Sequence, residues 1–203
     1  MSSTLRRLRR LATLDLRVFD EVRIDPSAML PALVTAVVSI AMLGLGGWLW
    51  WVTSGLGNRG PVFIKSVLLG TAFASIAWVV WLIVAYAVLS RLARTAIDVA
   101  ALLRTAGFAC APLVLALLMV LRPIAFGIGL TAIAAWVATT HVALQRAAGR
   151  TGGEVLAANL AGFATWAIIM SLLASATNQT APGPFLAESI WEAVTSAKVT
   201  FGS

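Results

Sequence analysis

Apolar residues fall into five long runs separated by short polar stops. The runs cover about Met29 to Thr53, Val62 to Leu89, a third ending near Leu121, Ile124 to Leu144 and Val155 to Ala176. Long runs with no acid at their centres are what a bilayer-crossing helix requires. A stop at Asp25-Pro26-Ser27 precedes the first run, and the segments between runs are Ser54 to Pro61, Ser90 to Arg104, Arg122-Pro123 and Gln145 to Glu154. Trp48, Trp50 and Trp51 end the first run, at the level where tryptophan favours the headgroups. Lys65 marks the edge of the second run, and Trp78 and Trp81 lie within it.

The third run is the most informative. Leu102-Leu103-Arg104-Thr105-Ala106-Gly107-Phe108-Ala109-Cys110-Ala111-Pro112 leads from a last charge into small, uncharged residues. Gly107 and Ala111 stand four apart and share a face that admits a neighbouring backbone. Pro112 has no N–H to donate, so a kink is expected there. In lipid, the carbonyl freed by such a kink needs a partner from a neighbouring helix. The third span is therefore expected inside the bundle, about 17 residues long and at the lower limit for crossing. Thr95 and Asp98 make a helix-start signal just before it. Ala158 and Gly162 form a second close-packing pair in the fifth run.

Residues 1–28 are too charged to span. Leu5, Leu8, Ala12, Leu16, Phe19 and Val22 recur at helical spacing beside the basic cluster Arg6, Arg7, Arg9 and Arg10. The pattern predicts an amphipathic helix held on an anionic lipid surface by those four arginines. Asp15, Arg17 and Asp20 break any apolar core behind the cluster, which argues against a signal peptide. After the Pro182 to Pro184 breaker, Leu186, Ile190, Ala193, Val194 and Ala197 line one face of an amphipathic tail, with Trp191 as an anchor.

The fold class read from this pattern is all-α: a polytopic membrane helix bundle with five transmembrane helices, an amphipathic N-terminal helix and an amphipathic C-terminal tail. It divides into a cytoplasmic basic segment (1–28), a five-span membrane domain (29–176) and a non-cytoplasmic tail (177–203).

Composition sharpens that reading. Of 203 residues, 60% are hydrophobic and 11% charged, with a mean hydropathy of +0.94. Soluble domains carry roughly 25% charged residues, so a soluble fold is excluded. The net charge of +7 is unevenly placed. It points to a membrane surface and not to nucleic acid. Most Lys and Arg precede the first run or fall in the second and fourth inter-span segments; Arg59, Lys65, Arg122 and Lys198 stand on the other side. That bias predicts a cell-membrane protein with its N-terminus cytoplasmic and its C-terminus outside. Arginine far outnumbers lysine, which with the high alanine content points to a GC-rich prokaryotic source.

Little catalytic chemistry is available. His141 is the one histidine and Cys110 the one cysteine. Within one chain, that leaves no two-histidine zinc or haem site and no disulfide. There is no phosphate-binding Gly loop and no nucleophile elbow. The spans lack the mid-depth acid that proton-coupled transport uses. No enzyme activity, cofactor or metal is expected. His141 is the single candidate ligand, for the axial position of a chlorophyll-type pigment. The plainer reading is an interfacial histidine hydrogen-bonded to a neighbour such as Thr139, Thr140 or Gln145. Cys110 reads as a small hydrophobe.

The motif Leu102-Leu103-Arg104-Thr105-x-Gly107-Phe108-Ala109-x-Ala111-Pro112 resembles the start of the third span in prokaryotic Yip domain proteins, relatives of Rab/Ypt-interacting membrane proteins. Phe19, Glu21-Val22 and Asp25-Pro26-Ser27-Ala28 resemble the family's short cytoplasmic lead-in, and the run from Trp136 through His141 to Ala147 and on to Gly162 resembles the family's region after the fourth span. The likeness covers residues 14–175. It implies a five-span, non-enzymatic bundle with a cytoplasmic N-terminus. The longer cytosolic region and the Asp-Leu-Tyr-Gly-Pro-type motif of the eukaryotic relatives are absent, so Rab binding is not implied.

The expected function is a non-catalytic membrane scaffold or adaptor. Arg104, Gly107, Ala111, Pro112, Ala158 and Gly162 would shape its packing, and its partners would be anionic lipid and other integral membrane proteins. The alternatives are an accessory subunit of a photosynthetic or respiratory complex, and a lipid or small-molecule carrier.

Overall fold

A computed structural model of the chain describes residues 3–55, 59–93 and 97–177. The expected C-terminal amphipathic tail and the Thr95 start signal lie outside the described residues. All regular structure among the described residues is helical. Five helices among the described residues are long and apolar enough to cross a membrane: Pro26–Thr53, Arg59–Leu92, Val99–Val120, Arg122–Ala148 and Gly153–Leu173.

Two short helices precede the first span, α1 (Ser3–Ala12) and α2 (Val18–Ile24). The single amphipathic helix expected over this region is therefore broken. The break has a local cause. Asp15 accepts from the Arg17 backbone N–H and from the Arg10 side chain, and Leu14 takes a φ of 60°. A short acid that bonds nearby backbone competes with the helix.

A 3₁₀ turn (Pro26–Ala28), with Asp25 accepting from the Ser27 N–H, leads into α3 (Met29–Thr53). The second span opens with α4 (Arg59–Val62), passes through a π-helical segment (Phe63–Leu69) and continues as α5 (Gly70–Ala93). The third begins as α6 (Val99–Ala109), where the Asp98 carboxylate accepts the Ala100 N–H. It then becomes a ten-residue 3₁₀ helix (Ala111–Val120). The fourth span is α7 (Ala125–Ala148), stopped by Gly149 at φ 64°, and the fifth is α8 (Gly153–Thr177).

The third span starts well before the expected boundary and has 22 residues. Its conformational change also lengthens it. A 3₁₀ helix rises about 2.0 Å per residue against 1.5 Å for an α-helix, which brings the span to roughly 36 Å. A hydrocarbon core is about 30 Å thick.

The third span is also the most enclosed of the five, with 56% of its apolar window buried against 33–44% for the others. It packs against α3 on one side and α7 on the other, while α5 packs chiefly on α8. Aromatic rings fill the space between these groups. Trp81 of α5 meets Trp136 of α7 edge-on at 4.8 Å, and Trp136 meets Trp166 of α8 at 5.1 Å. All three tryptophans are fully buried. At the other side, Trp48 donates to the Arg59 carbonyl at 3.0 Å and packs edge-on against Phe63.

Candidate functional site

The polar chemistry of the chain collects at the end of the bundle that carries α1 and α2. Val18, Phe19 and Val22 make one side of α2 wholly apolar, and that side is buried against Phe108, Ala109 and Ala143. A seven-residue helix leaves its last carbonyls without partners. Arg104 of α6 supplies them. Its Nε donates to the Val22 carbonyl at 3.1 Å and its Nη2 to the Arg23 carbonyl. The cation thus sits at the negative end of the α2 dipole. Arg104 is only 7% exposed, with Asp98 at 3.6 Å.

The same device is used twice. Arg23, on α2, donates to the Arg146 carbonyl at 3.0 Å and so caps the end of α7. Arg146 pairs back to Asp20 of α2 at 3.2 Å. Three arginines on three helices thereby tie α2 across the ends of the third and fourth spans.

The four arginines of the basic cluster separate into two pairs. Arg7 bonds Asp25, and Arg10 bonds Asp15 and Glu21, so these two fold α1 back onto α2. Asp25 is held down to about 2 by the Ser27 hydroxyl and the Arg7 guanidinium. Asp15 is lowered chiefly by its bond to Arg10, and Arg10 is raised chiefly by Glu21. Arg6 and Arg9 point outward and make no ion pair among the described residues.

Pro112 lies where the third span changes conformation. Leu113 donates to Cys110 in the 3₁₀ pattern, which withdraws an α-helical donor from the Ala109 carbonyl. Thr139 of α7 fills the vacancy, its hydroxyl standing 2.8 Å from the Ala109 carbonyl and sharing its proton with the carbonyls of Ala135 and Trp136 on its own helix, at 2.9 and 3.0 Å. Gly107 packs on α3 so closely that a Cβ would stand 2.6 Å from the Ala32 carbonyl oxygen. Ala111, on the expected shared face, is only partly buried. Ala158 is fully buried in the main core, and a Cβ on Gly162 would stand 1.9 Å from Trp81 Cδ1.

A groove of about 850 Å³ runs beneath α1, between α3 and the third span. Leu8, Leu30, Val34, Phe108 and Leu115 give its character, with Thr139 at the inner wall. His141 lies outside the groove. Its Nε2 faces Gln145 Nε2 at 3.1 Å, and its Nδ1 is buried without a protein partner among the described residues.

No family model, curated protein or solved structure matches this chain. The resemblance to the Yip domain therefore rests on the sequence motifs themselves. Sequence reasoning singled out Arg104, Gly107 and Gly162, each of which has a defined contact, and Pro112, which opens the 3₁₀ segment. It missed Thr139 as the partner of the kink and Arg23 as a cap. It also missed Gly46, where a Cβ would come within 2.0 Å of the Ala116 carbonyl oxygen. A helix-breaking Pro in one span and an unassigned Thr in a later one were the only signals of the first.

Proposed function

We propose that this chain is a non-catalytic, multi-pass scaffold of the cell membrane, of the Yip domain type. Its N-terminus is cytoplasmic, and its N-terminal helices form a platform for anionic lipid and for other integral membrane proteins. The observation that carries this reading is the fixed seat of α2. Arg104, Arg23 and Arg146 bind it across two spans, and α1 is clamped to it through Arg7 and Arg10. Arg6 and Arg9 are left outward on a docked surface helix. Cations presented this way at a bilayer are drawn to anionic headgroups, at about 1 kcal/mol per Lys or Arg. The bias of Lys and Arg toward the segments on this side supports the orientation.

Native mass spectrometry of the tagged protein, extracted gently from its own membrane, tests the reading. A small assembly carrying anionic lipid is expected, alone or with substoichiometric membrane partners. A fixed stoichiometric set of larger subunits would overturn it in favour of an accessory subunit of a large complex.

A further inference from the structure

The groove beneath α1 has a shape and a setting that select its occupant. Val34 and Val38 on one edge, and Val114 and Leu115 on the other, are 43–52% exposed, so the groove opens along its side between the first and third spans. Its polar atoms are hydroxyls, and two of them are committed: Thr35 to the Pro31 carbonyl and Thr139 to Ala109. From Leu30 to Ser39 the α3 wall is roughly 14 Å long at 1.5 Å per residue. That is about half of a 30 Å hydrocarbon core, the depth of one leaflet.

Charge stands at one end only. Thr4, Leu8, Leu11 and Ala12 form the side of α1 that faces the groove. At 100° per residue, Arg9 lies about 60° beyond Ala12, on the flank of that side, and Arg6 about 60° further round, on the face away from the groove. Arg7 and Arg10 are consumed by Asp25, Asp15 and Glu21, whereas Arg6 and Arg9 have no acid among the described residues.

We propose that the groove holds one acyl chain of an anionic phospholipid from the leaflet on the α1 side, with its phosphate at Arg9. The helix α1 is then the lid of a lipid site as well as a surface anchor. A chain of methylenes suits an apolar wall that opens sideways to the bilayer, and a volume of this size is that of an ordinary ligand site. The headgroup charge answers the Arg9 guanidinium, which has no acid partner among the described residues. This inference rests on the reading of α1 as a helix that faces anionic lipid.

The test places the full chain in nanodiscs of phosphatidylglycerol with a photoreactive diazirine midway along one acyl chain, and in matched phosphatidylcholine discs with the same chain. Crosslinks in phosphatidylglycerol are expected to concentrate on Val38, Ser39 and Leu115. They should fall about tenfold, the loss of roughly one charge-assisted contact, in Arg6→Gln/Arg9→Gln and in phosphatidylcholine. Val34→Trp, which fills the groove from its open edge, should also remove them. The Arg variants leave the interior untouched and keep the test valid if the Trp variant misfolds. Labelling spread evenly over the outward residues Ile76, Ile83 and Leu160, or equal with both lipids, overturns the proposal. Hydrogen exchange of α1 on the same discs separates the two readings. Charge-dependent protection without groove labelling overturns the groove alone. Loss of that protection as well overturns the surface reading beneath it.

Discussion

The Arg104 guanidinium donates to the Val22 carbonyl at 3.1 Å across 82 residues of sequence, and so fastens the end of α2 to the third span. The buried cation is satisfied by backbone dipoles, and the carbonyls that a short helix leaves open are satisfied by the cation. Either group alone would be a penalty at that depth.

Arg104→Ala should therefore uncouple α2 from the bundle. A hydrogen bond to a charged group contributes about 1.5–3 kcal/mol, and the loss also exposes α2 carbonyls without a partner. The expected destabilisation is about 2–4 kcal/mol in a reversible unfolding assay in micelles. Faster amide exchange should be confined to α2. Arg104→Lys should recover only part of the loss, since an ammonium lacks the planar fork that reaches two carbonyls.

Thr139→Val should leave the Ala109 carbonyl unpaired at the point where the third span becomes 3₁₀. The cost of an orphaned buried acceptor is about 1–3 kcal/mol. Thr139→Ser keeps the hydroxyl and should be close to neutral. Thr131→Val is the control, because that exposed hydroxyl bonds only its own helix at Gly127. Equal effects at both positions would mean that the Thr139 bond between helices contributes nothing.

The close approaches predict a ranking. A methyl at Gly46 meets a backbone carbonyl oxygen at 2.0 Å, and at Gly162 it meets the Trp81 ring at 1.9 Å. At Gly162 the methyl also meets the Trp81 backbone carbonyl oxygen, at 2.7 Å against 2.0 Å for the Ala116 oxygen at Gly46, so the closer backbone approach should make Gly46→Ala the worse of the two. Overpacking typically costs about 1–3 kcal/mol. Gly127→Ala, with nothing within 4 Å, should be neutral or slightly stabilising. A changed tryptophan emission is expected for Gly162→Ala, because Trp81 lies against Trp136 and Phe163.

The α1 clamp should be sensitive to acid. Asp25 is lowered from 3.8 to about 2 by Ser27 and Arg7. A depressed carboxylate stabilises the docked state fully above its unfolded pKa, and that contribution is lost as pH falls through the folded value. Ser27 belongs to the same turn as Asp25, so only the Arg7 share of the shift is linked to docking; α1 should hold above pH about 4 and weaken as Asp25 protonates below it. Spin labels on α1 and α3 read this as a lengthening distance. Asp25→Asn should show the weakened docking already at neutral pH and a flatter profile below it.

Much of this fold was legible because apolar runs, Pro112 and the small residues act locally. A run of one-sided hydrophobicity announces a helix wherever it packs, and a proline frees a carbonyl whatever surrounds it. The break between α1 and α2 was hidden because Leu14 gives no turn signal. It arises from Asp15 bonding Arg10 and the backbone of Arg17. The basic cluster looked uniform in sequence. Its division into a clamped pair and an outward pair depends on where Asp25 and Glu21 arrive once α1 folds back. Arg104 was visible as a last charge before a span, but its acceptors are backbone atoms of another helix and leave no trace in composition.

In the proposed function Arg6 and Arg9 address anionic lipid while Arg7 and Arg10 hold α1 in place. Hydrogen exchange of residues 3–12, read for the parent chain and for Arg6→Gln/Arg9→Gln in phosphatidylglycerol and phosphatidylcholine nanodiscs, tests it most directly. Protection of α1 is expected to be greater on phosphatidylglycerol in the parent chain and equal on both lipids in the variant. Equal protection of the parent chain on both lipids, or a variant that keeps the difference, would contradict it.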